Sequence, residues 1–274
     1  MAQLTANGAR LAYDDAGEGS PSLVFVHGWA CDRRMWQPQF EDLARDHRCV
    51  SIDLRGCGES EAAPPFDTTR AADDVAEVIR QLQLGPSVVI GHSLGGLVAL
   101  LLNDRHAEVV LGTVLGDSPL TSASGGGLAQ TARRIEEAGS MEPMRSYIES
   151  TFFTEATSPK VRDFALNTMM STPGIVAAGM LSNAEVFPRR MGELLKQADQ
   201  KPLMALWAAR PLGNPDRLRE TLMFVRQEPI AESGHFFQLE QPALTAALLR
   251  AFLDDVERDP RVRNLREASA GSEQ

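Results

Sequence analysis

The pentapeptide Gly91-His92-Ser93-Leu94-Gly95 constrains this chain more than any other segment. The apolar run Val88-Val89-Ile90 leads into it, and residues 94–102, apolar on nearly every side, lead away from it. The first pattern is that of a buried strand in a parallel sheet, the second that of a buried helix. A strand-to-helix turn this tight forces its central residue into a strained backbone conformation, with room only for glycine on either side. The serine oxygen is then held out above the sheet. A helix N-terminus lies beneath it, and that dipole favours developing negative charge. The plain alternative is a serine capping an ordinary helix whose glycines serve close packing. The strand on one side and the helix on the other favour a nucleophile.

The rest of the chain repeats the alternation. Residues 10–13 read as a short strand, residues 14–21 as a turn, and residues 22–26 as a buried strand ending at His27-Gly28. Residues 32–45 set Met35, Trp36, Phe40 and Leu43 on roughly one helical face. Residues 49–52 form the next strand, ending at Asp53 and a loop over 54–60. Asp67 or Thr68 caps a helix whose Val75, Val78, Ile79 and Leu82 recur at helical spacing. Residues 109–115, 202–207 and a weaker run around Phe224-Val225 give further strands. Such alternation implies an α/β fold, a mostly parallel, doubly wound sheet covered on both faces. Ligands bind such sheets at the carboxyl ends of the strands.

Residues 119–200 break the pattern. Residues 121–127 have a hinge composition, and helical segments carrying Met141, Met144, Phe152, Phe153, Met169 and Met180 follow. The expected organisation is a core of residues 1–118 and 201–274 with a helical cap of 119–200 inserted in it. Most of these side chains should pack the cap on the core, and a few should line a pocket, since Met adapts to irregular apolar ligands. The tail from Val256 onward is expected to fray.

The formal net charge of −10 disfavours nucleic acid and anionic membrane as partners, since both need clustered Lys and Arg. Cys31, Cys49 and Cys57 are irregularly spaced and offer no metal-binding pattern, so three free thiols in the cytoplasm are expected. The N-terminus lacks the pattern of a secretory signal, and no apolar run reaches the ~18 residues of a membrane helix.

A second chemical feature is Ser233-Gly234-His235-Phe236-Phe237, after the last strand and before a final helix. A histidine there can reach the serine, and imidazole can accept its proton at neutral pH. His47 and His106 sit in polar surface segments, while His27 and His92 adjoin motifs whose turns they should support.

His27-Gly28-Trp29, the 53–60 turn, Gly91-His92-Ser93-Leu94-Gly95 and Gly234-His235-Phe236 together resemble the α/β-hydrolase superfamily, in its order and spacing, over about residues 8–255. The resemblance implies an eight-stranded sheet, an esterase-like site under the cap, and no cofactor or metal. It assigns the oxyanion hole to the backbone N–H groups of Trp29 and Leu94. The chain departs from the family at the acid: Ala208-Ala209-Arg210-Pro211 stands where an Asp usually lies. Asp117, at the end of the 109–115 strand, and Asp216, in Asn214-Pro215-Asp216, remain as candidates, and position relative to the sheet favours Asp117. Asp53 is expected to fix its own loop.

The expected function is hydrolysis of a small, largely apolar ester by Ser93, His235 and an Asp. Two rivals stand beside it: a cofactor-independent dioxygenase using only the His–Asp pair, and a slow-turnover receptor of the same fold.

Overall fold

A computed structural model describes residues 1–120, 125–183, 186–222 and 225–262. Part of the expected hinge (121–124), Phe224 of the weak strand, and the tail beyond 262 lie outside the described residues.

The sheet is built from β1 (Ala2–Ala6), β2 (Ala9–Ala16), β3 (Leu23–Val26), β4 (Cys49–Ile52), β5 (Ser87–His92), β6 (Val110–Gly116), β7 (Leu203–Ala208) and β8 (Arg226–Ile230). Its eight strands run in the order β1-β2-β4-β3-β5-β6-β7-β8. Only the β1–β2 and β2–β4 pairs are antiparallel. Helices α1 (Gln37–Leu43), α2 (Thr68–Gln81), α3 (Leu94–Arg105), α9 (Pro215–Thr221), α10 (Phe237–Glu240) and α11 (Pro242–Arg258) flank it. Between β6 and β7 the chain runs through α4 (Gly125–Ala138), α5 (Arg145–Thr151), α6 (Pro159–Ser171), α7 (Gly174–Gly179) and α8 (Val186–Ala198).

Alternation along the central strands divides the interior in two. In β3, Val24 and Val26 enter one apolar cluster, while Leu23 and Phe25 enter another. This is the period-two geometry of a strand, with helices covering both sheet faces. The first cluster also takes up Met141, Met144, Phe152, Phe153, Met169 and Met180 of the insertion. These side chains therefore join the insertion to the interior on that face of the sheet. Helix α3 is buried from Leu94 to Asn103, as its apolar circumference requires.

Several boundaries differ from the sequence reading. An extra edge strand, β1, pairs with β2 through a two-residue turn at Asn7-Gly8, both with positive φ. Asn-Gly favours this hairpin turn, but β1 is half exposed and lacks a strong apolar pattern. Strand β2 continues to Ala16, through residues read as turn, because Asp14, Asp15 and Ala16 pair with β4. The 32–45 segment splits into a 3-10 turn (Arg33–Trp36), capped by Asp32, and α1. Helix α11 extends to Arg258, and Val256 and Val262 are buried in the second cluster, so fraying does not begin at 256. Among the described residues no helix is long and apolar enough to cross a membrane.

Candidate active site

The β5–β6 register pairs His92 with Gly116, so the next residues, Ser93 and Asp117, leave adjacent strands side by side. The Ser93 N–H donates to the Gly116 carbonyl at 2.7 Å, and the Asp117 N–H donates to Leu206 of β7 at 2.7 Å. Ser93 has φ 54° and ψ −118°, outside the regions that side chains favour, a strain of about 1–3 kcal/mol. Gly91 and Gly95 permit it: a Cβ at 91 would overlap the Gly95 carbonyl, and one at 95 would overlap the carbonyls of Val26 and His27. Ser93 keeps 7% of its surface exposed at the head of α3.

His235 follows β8 in the loop before α10, and its Nδ1 lies 2.7 Å from Asp117 Oδ2. Both side chains are buried. The other carboxylate oxygen, Oδ1, accepts the N–H groups of Ala208 and Leu212 at 3.4 and 3.2 Å. The loop after β7, which carries no acid, thus holds an acid from β6. Asp216 does not reach the site: it sits in the first turn of the surface helix α9, 87% exposed and paired with Arg219 at 3.0 Å. Asn214 caps that helix, which directs Asp216 to solvent.

The imidazole of His235 lies between two rings, His92 and Phe152, each with a centroid separation of 4.4 Å. His92 Nε2 donates to the His235 carbonyl at 2.8 Å, which leaves its Nδ1 as a buried acceptor without a partner among the described residues. Burial holds the His92 pKa well below its ordinary value, with His235 and His27 nearby adding to the effect. His27 is also lowered by burial; its Nε2 accepts the Leu54 N–H at 2.9 Å and its Nδ1 donates to Gly28. Both histidines support turns, as their positions suggested. His47 bonds the Pro21 carbonyl, and His106 bonds Asp73 at 2.7 Å, away from the site. Asp53 accepts the N–H groups of Arg33 and Glu59 and so fixes its own loop.

The turn after β3 passes against the serine: a Cβ on Gly28 would lie 3.2 Å from Ser93 Cβ. In that turn the Trp29 N–H donates to no backbone or side-chain acceptor among the described residues. The Leu94 N–H opens α3, where the first amides have no intrahelical acceptor. The Trp29 indole donates to Ala177 of α7 at 2.8 Å. No hydrogen bond joins Ser93 Oγ to His235 Nε2 among the described residues. Such bonds are often loose without substrate.

Phe152 and the Ala208 and Leu212 amides are the site components that sequence reasoning missed, and none of them carries a side-chain signal of that role. Among the described residues no cluster of His, Cys, Asp and Glu could hold a metal ion. A cleft of about 390 Å³ is lined by Asp32, Arg33, Arg34 and Glu59 among others, and by none of Ser93, Asp117 and His235. Its arginines are engaged: Arg33 by Asp14, Asp53 and Glu59, and Arg34 by Asp32.

Comparison with known proteins identifies the family and the fold. A model of the "Alpha/beta hydrolase family" matches residues 23–248. AB hydrolase superfamily protein YisY of Bacillus subtilis is 27% identical over 259 residues, covering 88% of this chain and 94% of that protein. 3-oxoadipate enol-lactonase 1 of Acinetobacter baylyi is 22% identical over 243 residues, covering 88% and 91%. The solved structure of a thermophilic esterase from Thermogutta terrifontis superposes with a TM-score of 0.80 at 24% identity, covering 93% of this chain and 98% of that one.

Proposed function

The chain belongs to the alpha/beta hydrolase family, and we propose that it is a serine hydrolase cleaving carboxylic esters of small, largely apolar molecules through an acyl-enzyme. The observation that carries this reading is the buried 2.7 Å contact of His235 Nδ1 with Asp117 Oδ2, beside a serine on a strained strand-to-helix turn.

In this reading Asp117 fixes the imidazole and stabilises its charged form. His235 Nε2 takes the Ser93 proton as Ser93 Oγ attacks the ester carbonyl. The N–H groups of Trp29 and Leu94 hold the oxyanion, each typically contributing about 3 kcal/mol to the transition state. The imidazolium then protonates the departing alcohol as the ester C–O bond breaks. His235 next removes a proton from water, which attacks the acyl-enzyme and releases the acid and Ser93. No cofactor or metal enters this sequence of steps. The Met- and Phe-rich insertion, read as a cap, supports an apolar acyl or alcohol group. The partner is a small-molecule ester; lactones belong in the test because a lactonase is among the relatives. Epoxide hydrolases are also relatives, but Ser93 stands where that chemistry needs a carboxylate nucleophile.

Fluorophosphonate labelling followed by mass spectrometry should find the phosphonate on Ser93. Nitrophenyl esters of increasing chain length should be turned over, and Ser93→Ala should abolish turnover. An unlabelled Ser93, or activity confined to charged or sugar-like esters, would count against the proposal. Chemistry surviving in Ser93→Ala would favour the base-only, dioxygenase-like alternative.

A further inference from the structure

The loop carrying His235 is fastened by a carboxylate for which the steps above have no use. Glu240, at the end of α10, accepts the Gly234 N–H at 2.8 Å and the Thr157 hydroxyl at 3.0 Å, both on Oε2. Thr157 belongs to the insertion, where its Oγ1 also accepts the Thr154 N–H at 3.0 Å. The next amide, that of His235, donates to the Phe152 carbonyl, again in the insertion, at 2.8 Å. Two consecutive amides at the base are therefore tied to the insertion, one directly and one through Glu240. The fit leaves no slack: a Cβ on Gly234 would lie 2.6 Å from the Phe152 carbonyl and 2.9 Å from Glu240 Oε1. Glu240 Oε1 is itself buried without a partner among the described residues. A half-buried carboxylate with one oxygen enclosed and unpaired is costly, and an apolar residue would fill the space at lower cost if packing were its whole role.

We propose that Glu240 is a positioning residue for His235, whose carboxylate links the backbone before the imidazole to Thr157 of the insertion, making cap seating and base placement one event. The inference rests on His235 being the base. The step affected is proton transfer, so the loss should appear in kcat and leave KM nearly unchanged.

The test is steady-state hydrolysis of nitrophenyl butyrate by the full chain. Glu240→Ala should lower kcat about tenfold to a hundredfold, with KM within about threefold, as expected when a catalytic group is displaced by about an ångström. Glu240→Gln should restore kcat to within about threefold of the parent, because one amide oxygen can accept both hydrogen bonds. Thr157→Val cuts the cap arm, together with the Thr154 N–H bond inside the insertion, and should lower kcat about threefold to tenfold; it carries the test if Glu240→Ala does not fold. A parent-like kcat in Glu240→Ala, a Gln variant as impaired as the Ala variant, or a parent-like kcat in Thr157→Val would each overturn the proposal. His235→Ala is the control: full turnover in that variant would overturn the reading of His235 as base as well.

Discussion

The Phe152 carbonyl accepts the His235 N–H at 2.8 Å while the Phe152 ring lies 4.4 Å from the imidazole. A single residue of the insertion thus holds both the backbone and the ring of the proposed base. The insertion also reaches the turn after β3, through the Trp29 indole on Ala177 and the Thr172 hydroxyl on the Ala30 carbonyl. Phe152→Ala keeps the carbonyl and removes the ring. It should cost about 3 kcal/mol of stability, as large-to-small core changes do, and lower ester kcat about tenfold by loosening the imidazole. Denaturant unfolding and nitrophenyl ester kinetics measure the two effects separately. Unchanged kcat in a stably folded variant would mean that the ring is packing alone.

The two candidate acids now make opposite predictions. Asp117→Asn should leave the fold intact and lower kcat about 10⁴-fold, because the imidazole loses the partner that sets its tautomer and stabilises its charge. Asp216→Asn should change nothing, since the Asp216 side chain faces solvent with Arg219. Equal activity of Asp117→Asn and the parent would remove Asp117 from the mechanism.

What the sequence made legible follows the strength of the local physical signal. Strands β3, β4 and β5 are short apolar runs buried on both faces, and the readings 22–26, 49–52 and 88–90 fall on them within two residues. The half-exposed edge strands β1 and β8 carry weak patterns: the first was missed, and the second was anticipated around Val225, just before its start. The Ser93 turn was legible because Gly91 and Gly95 are demanded by the approach of other carbonyls. The contact between Asp117 and His235 could be ranked but not decided, because it depends on how the 208–212 loop folds over the end of β6. Phe152 was invisible as a site residue: its carbonyl acts through the backbone, and backbone groups leave no mark in a side-chain pattern.

Stability should fall with acid before most carboxylates titrate. His27 and His92 are both held below their ordinary pKa by burial, so the folded state keeps them neutral. Below about pH 6.5 the unfolded chain binds protons that the folded chain refuses. Stability therefore rises with pH in that window and is lost as pH falls through it, by up to about 1.4 kcal/mol per pH unit for each group. Above about pH 7 both states are neutral at these sites and the dependence vanishes. Unfolding free energies measured from pH 5 to 8 should show this slope. His92→Gln, whose amide nitrogen reaches as far as Nε2, keeps a donor for the His235 carbonyl but cannot titrate, and should make the slope shallower, leaving the part due to His27. An equally steep slope in that variant would exclude His92 as a source.

The three thiols should be inert in the folded protein. Cys31, Cys49 and Cys57 are all buried and unpaired as disulfides. Burial is the main cause that raises each thiol pKa, to about 12 for Cys49; Asp32 adds to the effect at Cys31 and Asp53 at Cys57. The thiolate is the reactive form, and a thiol of pKa 12 at pH 8 is thiolate in roughly one molecule in ten thousand. Cys57 is further covered by the insertion, with its Sγ 3.9 Å from Met180 Sδ. Iodoacetamide at pH 8 should leave native protein unmodified over minutes and alkylate all three cysteines once denaturant opens the chain. Rapid alkylation of one thiol in the native state would show that its region opens, and would name a second nucleophile competing for the phosphonate meant for Ser93. With the thiols silent, a single phosphonate adduct reports on the serine alone.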